Sequence, residues 1–188
     1  MFHGFLVTHN ESISIADYFT VKEGDAVAYR PTVHYAYHPC DDAVLSLHEL
    51  AGKNYVEQTE KRLMVDEITE GIDELGVLLC GHAKGAYWYG SQLEIHNSRK
   101  LVEHNSATPL QVTATALAGM IWAMENPKRG ICEPDEIDYE RVLEIAEPYC
   151  VPVVGEYTDW TPLLNRETLF PEDIDKESPF QFKNFRVL

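Results

Sequence analysis

The sequence predicts an α+β protein: a mixed or antiparallel sheet with flanking helices, then a C-terminal helical segment. Three observations carry this reading. Short apolar runs, several with period-two spacing and joined by turn residues, dominate residues 5–95, which favours strands paired with their neighbours in sequence. Beyond residue 97 the apolar residues recur at helical spacing instead. The composition is 45% hydrophobic and 24% charged over 188 residues, enough apolar material for a core and too much for a disordered chain.

The first stretch, residues 5–21, reads as two strands around the polar insert Thr8–Ser12, with Ile13 and Ile15 alternating inward. A turn at residues 22–25 leads to an aromatic and β-branched strand over residues 27–38, where Pro31 marks a bulge or an edge. Asp41 and Asp42 are N-cap candidates for a helix over residues 43–51, and Gly52 stops it. Residues 61–68, 75–80 and 86–95 read as further strands. The glycine-bounded segments 71–76 and 81–85 are the expected turns between them. Thr108-Pro109 then reads as an N-cap and first-turn proline. The helix behind it has apolar residues on two sides, Leu110, Ala114, Leu117 and Ile121 on one and Val112, Ala116 and Met120 on the other. It is expected to be buried nearly all round. A second helix follows Pro134, a strand spans 151–157, and the remainder is expected as an extended strap.

Fifteen basic against 31 acidic residues give a net charge of −16. The excess is spread along the chain, with 6 basic and 15 acidic groups up to Glu94 and 9 and 16 after it. Such a surface repels phosphate backbones and anionic lipid and attracts small cations, so neither nucleic acid nor a membrane is expected as partner. No apolar run reaches the length of a spanning helix, and residues 1–4 do not open a secretory signal. Four separated cysteines, Cys40, Cys80, Cys132 and Cys150, fit free thiols in a cytoplasmic protein.

Signatures of known phosphate cradles, nucleophile elbows and zinc helices are missing from the sequence. His34-x3-His38-x-Cys40 has donor types for a metal, but in a strand the two imidazoles stand about 13 Å apart, and no metal is expected. Cys40 before two aspartates could be a thiolate at a helix start, but the sequence shows no base beside it. Thr8-His9-Asn10-Glu11-Ser12 supports two readings. One is a loop with a Thr8/Glu11 capping box; the other is the lip of a site where Glu11 holds a cation and His9 moves protons. Asp73 and Glu74 between glycines are either a solvated turn or additional carboxylates for an amine. Tyr87, Trp88, Tyr89 and Trp160 are either core residues or cation–π faces for an ammonium.

The blocks THNESISIADYFTV, YRPTVHYAYHPCDDAVLSLHEL, GIDELGVLLCGHAKGAYWYGSQL and QVTATALAGMIWAMENP resemble bacterial homospermidine synthase, of the saccharopine dehydrogenase-like group. VPVVGEYTDWTPL, LFPEDID and PFQFKN continue the likeness in order. The resemblance is to the C-terminal portion of that family; its Gly-rich Rossmann region has no counterpart in these residues. It implies an NAD-dependent aminobutyl transferase in which hydride leaves a putrescine carbon and a second putrescine displaces ammonia from the imine. Re-reduction then gives sym-homospermidine. It further implies His9 and Glu11 as catalytic residues, with Glu11, Asp73 and Asn10 binding substrate, and NAD held mainly by the absent Rossmann half. Residues 1–106 would form a substrate-binding and dimerisation domain. Residues 107–188 would form a helical return toward the Rossmann domain and a strap. Expected partners are putrescine and related diamines, the missing half, and a second copy in a dimer. A non-catalytic polyamine-binding or oligomerising module, or a related protein for another amine, are the alternatives.

Overall fold

A computed structural model describes residues 4–187. The chain divides into two compact units, residues up to Leu63 and residues from Met64 onward.

In the first unit β1 (Phe5–Val7) pairs antiparallel with β4 (Tyr35–Tyr37), Val7 facing Tyr35. The hairpin of β2 (Val21–Glu23) and β3 (Ala26–Tyr29) turns at Gly24, whose φ of +63° suits glycine. The single long strand expected over 27–38 is instead β3 and β4, interrupted around Pro31, which cannot donate to a ladder. A second correction concerns Ile13 and Ile15. They lie in helix α1 (Glu11–Tyr18), because the polar turn at His9-Asn10 supplies carbonyls to the amides of Ser12, Ile13 and Ser14. Glu11 sits in the first turn, where the helix dipole favours an anion. The Thr8/Glu11 capping box is not formed: Asn10 occupies the N-cap position and makes no side-chain cap bond. Helix α2 (Asp41–Gly52) starts after Cys40, so Asp41 and Asp42 lie in its first turn and do not cap it. Of the described residues in this unit, Ala16 and Pro39 alone are buried, while Phe5, Leu6, Leu45 and Leu47 are all more than half exposed.

The second unit is built on an antiparallel sheet of β5 (Ile72–His82), β6 (Gly85–Glu94) and β7 (Val153–Thr158), in that order. The expected turn at 81–85 is present. The expected turn at 71–76 is not: Asp73 and Glu74 are strand residues, and Gly76 faces Gly90 across the ladder. These glycines serve close backbone approach and not chain reversal. Residues 61–70 form no strand; the Arg99 guanidinium, on α3 (Ile95–Leu101), holds this stretch through the carbonyls of Ile68 (2.7 Å) and Val65 (3.4 Å).

Helix α4 (Ala107–Glu125) meets the sheet through Ala107 and Leu110 against Leu93. Its small residues Ala114 and Ala118 pack on Ala146 and Cys150 near α5 (Tyr139–Ala146), which Asp138 caps by accepting from the amides of Glu140 and Arg141. The expectation of all-round burial is corrected: one stripe is buried, and Val112, Met120 and Met124 are 58–71% exposed. The boundary expected at 106/107 falls inside the second compact unit, where α4 packs on Leu93 of β6.

The strap beyond residue 161 contains one short helix, α6 (Phe182–Phe185). Asn184, fully buried, ties it together: its Nδ2 donates to the carbonyls of Asp175, Ser178 and Pro179, and its Oδ1 accepts from the Asp175 amide. Arg166 pairs with Glu172 at 2.7 Å and donates to the carbonyls of Asn184 and Arg186. An Asn184→Ala change removes the partner of four part-buried backbone groups, a cost of about 1–3 kcal/mol. It is expected to open this strap locally, read as lost amide-exchange protection over residues 166–186 while the sheet stays protected.

Candidate functional site

The loop between β1 and α1 carries Thr8, His9 and Asn10 and delivers Glu11 into the first helical turn. Beside it lies a hollow of about 180 Å³. Leu6, Val7 and Ile13 supply its apolar walls, and Thr8, His9, Ser12, His34 and Tyr35 its polar ones. His9, one of its lining residues, is hydrogen bonded through Nδ1 to Glu11 Oε2, and its imidazole stacks on Tyr35 with centroids 4.5 Å apart and planes at 15°. His9 and Glu11 are therefore brought together.

The electrostatics suit a cation. Burial pushes the Glu11 carboxyl up, but the hydrogen bond from its own backbone amide and the His9 imidazole outweigh this, so its pKa lies below the ordinary carboxylate value. Glu11 stays half exposed and keeps acceptor capacity beyond its bond to His9. His34 titrates lower than a free imidazole because burial disfavours its charged form, which favours the neutral ring. The Asn10 amide is not spent on capping.

Asp73 belongs to the second unit. Its carboxylate accepts from the Thr108 hydroxyl at the start of α4, and its carbonyl accepts from Gln111 Nε2 at 3.2 Å. Gln111 is buried and also donates to Ser91 Oγ, which donates to the Cys150 carbonyl. Asp73 thus joins β5 to α4 whatever else it does. Glu74 accepts from Gln92 at 2.8 Å.

The other candidates are accounted for by packing. Tyr89 donates to Glu147, Tyr87 and Tyr157 are in ring contact, Lys84 lies over the Tyr157 ring, and Trp160 meets Phe185. Cys40 is exposed at the start of α2. Among the described residues no three His, Cys, Asp or Glu groups converge as metal ligands, and no helix is long and apolar enough to cross a membrane. A larger hollow of about 640 Å³ lies near Trp122, Arg129 and Arg141. Its charges are already engaged: Arg141 pairs with Glu125 and Glu144, Asp138 caps α5, and Glu136 completes a cap with Glu133. Sequence reasoning did not associate Tyr35 and His34 with His9. Tyr35 stands 26 positions away, and only strand pairing joins them.

A dinucleotide is held at a Gly-rich turn between a strand and a helix within a parallel βαβ unit. Every strand pair among the described residues is antiparallel, and the turn from β1 into α1 contains no glycine. These residues do not form such a cradle.

Comparison with known proteins gives a consistent family. The model of the saccharopine dehydrogenase C-terminal domain matches residues 2–157. The chain is 60% identical to the homospermidine synthase of Blastochloris viridis and 56% identical to that of Mesorhizobium japonicum, in each case over 98% of this chain and 39% of the relative. It matches a crystal structure of the homospermidine synthase of Legionella pneumophila in complex with NAD, with a TM-score of 0.90 and 52% identity over 97% of this chain and 40% of that one. The chain spans about two fifths of the length of the relatives it matches.

Proposed function

This chain belongs to the saccharopine dehydrogenase C-terminal domain family, and we propose that it is the diamine-binding portion of a homospermidine synthase. The observation that carries the proposal is 60% identity to such an enzyme over 98% of the chain, together with an imidazole that lines a hollow of about 180 Å³ and is hydrogen bonded to the Glu11 carboxylate. The reaction converts two putrescines to sym-homospermidine and ammonia. NAD, which supplies hydride chemistry when bound, is assigned to the part of the enzyme outside these residues.

On this reading Glu11 receives one ammonium of the substrate by a charge-assisted bond, worth about 1.5–3 kcal/mol. His9 uses its other ring nitrogen, Nε2, to take the proton that an ammonium must lose before its nitrogen can act as a nucleophile. Asn10 is assigned to substrate binding as part of the same proposal, and Asp73, in the second unit, is assigned to substrate binding on the family likeness alone; the acidic surface raises the local concentration of polyamine cations. The exposed apolar residues of the first unit and of α4 are assigned to contacts with the missing Rossmann half and with a second copy in a dimer. The compartment proposed is the cytoplasm.

Complementation tests the proposal. Alone, the chain is expected to bind NAD weakly and not to turn over putrescine; mixed with the separately produced Rossmann portion, it is expected to form homospermidine. Micromolar NAD affinity of the chain by itself would contradict the assignment of cofactor and substrate to different portions. Putrescine binding without turnover in the mixture would favour a non-catalytic polyamine-binding module.

A further inference from the structure

Resting on the assignment of His9 as the proton-handling group, we infer that Tyr35 is a positioning residue that, with Glu11, fixes the direction of the His9 Nε2 atom. The two contacts on the imidazole restrain different motions. The Tyr35 ring lies nearly parallel to it, 4.5 Å away at 15°, and so sets its plane. The bond from Nδ1 to Glu11 sets rotation within that plane. Two separate elements supply these contacts, β4 for Tyr35 and the first turn of α1 for Glu11. The register explains the placement: Val7 and Tyr35 are cross-strand partners, so Tyr35 shares a face with Val7, and His9 follows two residues later. Donation from Nδ1–H to the carboxylate selects one neutral tautomer and leaves Nε2 as the base.

The stack requires a ring and not a hydroxyl, which separates this role from proton transfer by the phenol. Tyr35→Phe is therefore expected to preserve the geometry and Tyr35→Leu to lose it. The readout is nitrogen NMR of the histidine-labelled full chain, with His9→Gln used to assign the His9 signals. In the wild type and in Tyr35→Phe, His9 is expected mainly as the Nδ1–H tautomer. In Tyr35→Leu the ratio of Nδ1–H to Nε2–H is expected to fall roughly two- to tenfold, the range of an aromatic pair contact. A second readout needs no variant: ring current from Tyr35 should move the His9 ring-proton signals of the wild type upfield.

Unshifted His9 ring protons in the wild type, or an unchanged tautomer ratio in a folded Tyr35→Leu chain, would overturn the inference. Putrescine titration of the wild type reads the functional assignment separately. An ordered His9 in a chain that ignores putrescine would remove the function and keep the positioning.

Discussion

Gly90→Ala is expected to destabilise the second unit by about 2–3 kcal/mol. Gly90 pairs with Gly76 across β5 and β6, and the Trp88 ring reaches over the pair. A Cβ at position 90 would lie 2.6 Å from both the Gly76 Cα and the Leu75 carbonyl oxygen, and 2.9 Å from the Trp88 ring. The first two are backbone atoms of a paired strand and cannot swing away as a side-chain end would. A Cβ at Gly76 collides with the Tyr89 carbonyl oxygen, so either substitution forces the ladder apart. Gly119, inside α4 with open space at its Cβ position, provides the opposite control. Gly119→Ala is expected to stabilise by about 0.5–1 kcal/mol through helix propensity. Denaturant midpoints of the two variants should move in opposite directions; a neutral Gly90→Ala would show that the two strands can separate without cost.

The largest functional effects are expected at His9 and Glu11. In the assembled enzyme, His9→Ala is expected to lower turnover by about 10²- to 10⁴-fold, the usual contribution of a positioned acid–base group. Glu11→Gln keeps size and polarity but removes the charge, and is expected to weaken diamine binding about 10- to 100-fold. The pH dependence follows from the sign of the Glu11 shift. Its carboxyl is held below the ordinary value, so binding should persist as pH falls through the usual carboxylate range and fail only below it. The same shift adds stability that is present above the unfolded-state pKa and is lost as pH falls through the folded one. Loss of binding already at mildly acidic pH would point to a different anion.

Which features were legible in the sequence follows from how local their causes are. The β5–β6 hairpin announced itself through Gly81 and Gly85 between apolar runs, and both glycines have positive φ in the structure. Helix α4 was legible because no charged residue interrupts it before Glu125. Helix α1 was misread because Ile13-x-Ile15 fits a strand as well as a helix, and the deciding carbonyls come from His9 and Asn10. Gly76 was misread because glycine marks close strand approach as well as turns. At the site, His9 and Glu11 stood two positions apart in one polar segment and could be paired by eye. Tyr35 could not, since the β1–β4 register alone brings it to His9. The tie from Asp73 to Thr108 and Gln111 spans 35 and 38 positions and likewise left no local signal.

Calorimetric titration of putrescine into the full 188-residue chain at neutral pH, wild type beside Glu11→Gln, asks most directly whether this carboxylate receives the diamine. Saturable binding by the wild type, weakened at least about tenfold by loss of the Glu11 charge, is the predicted result. Equal heats from the two chains, or none from either, would contradict it.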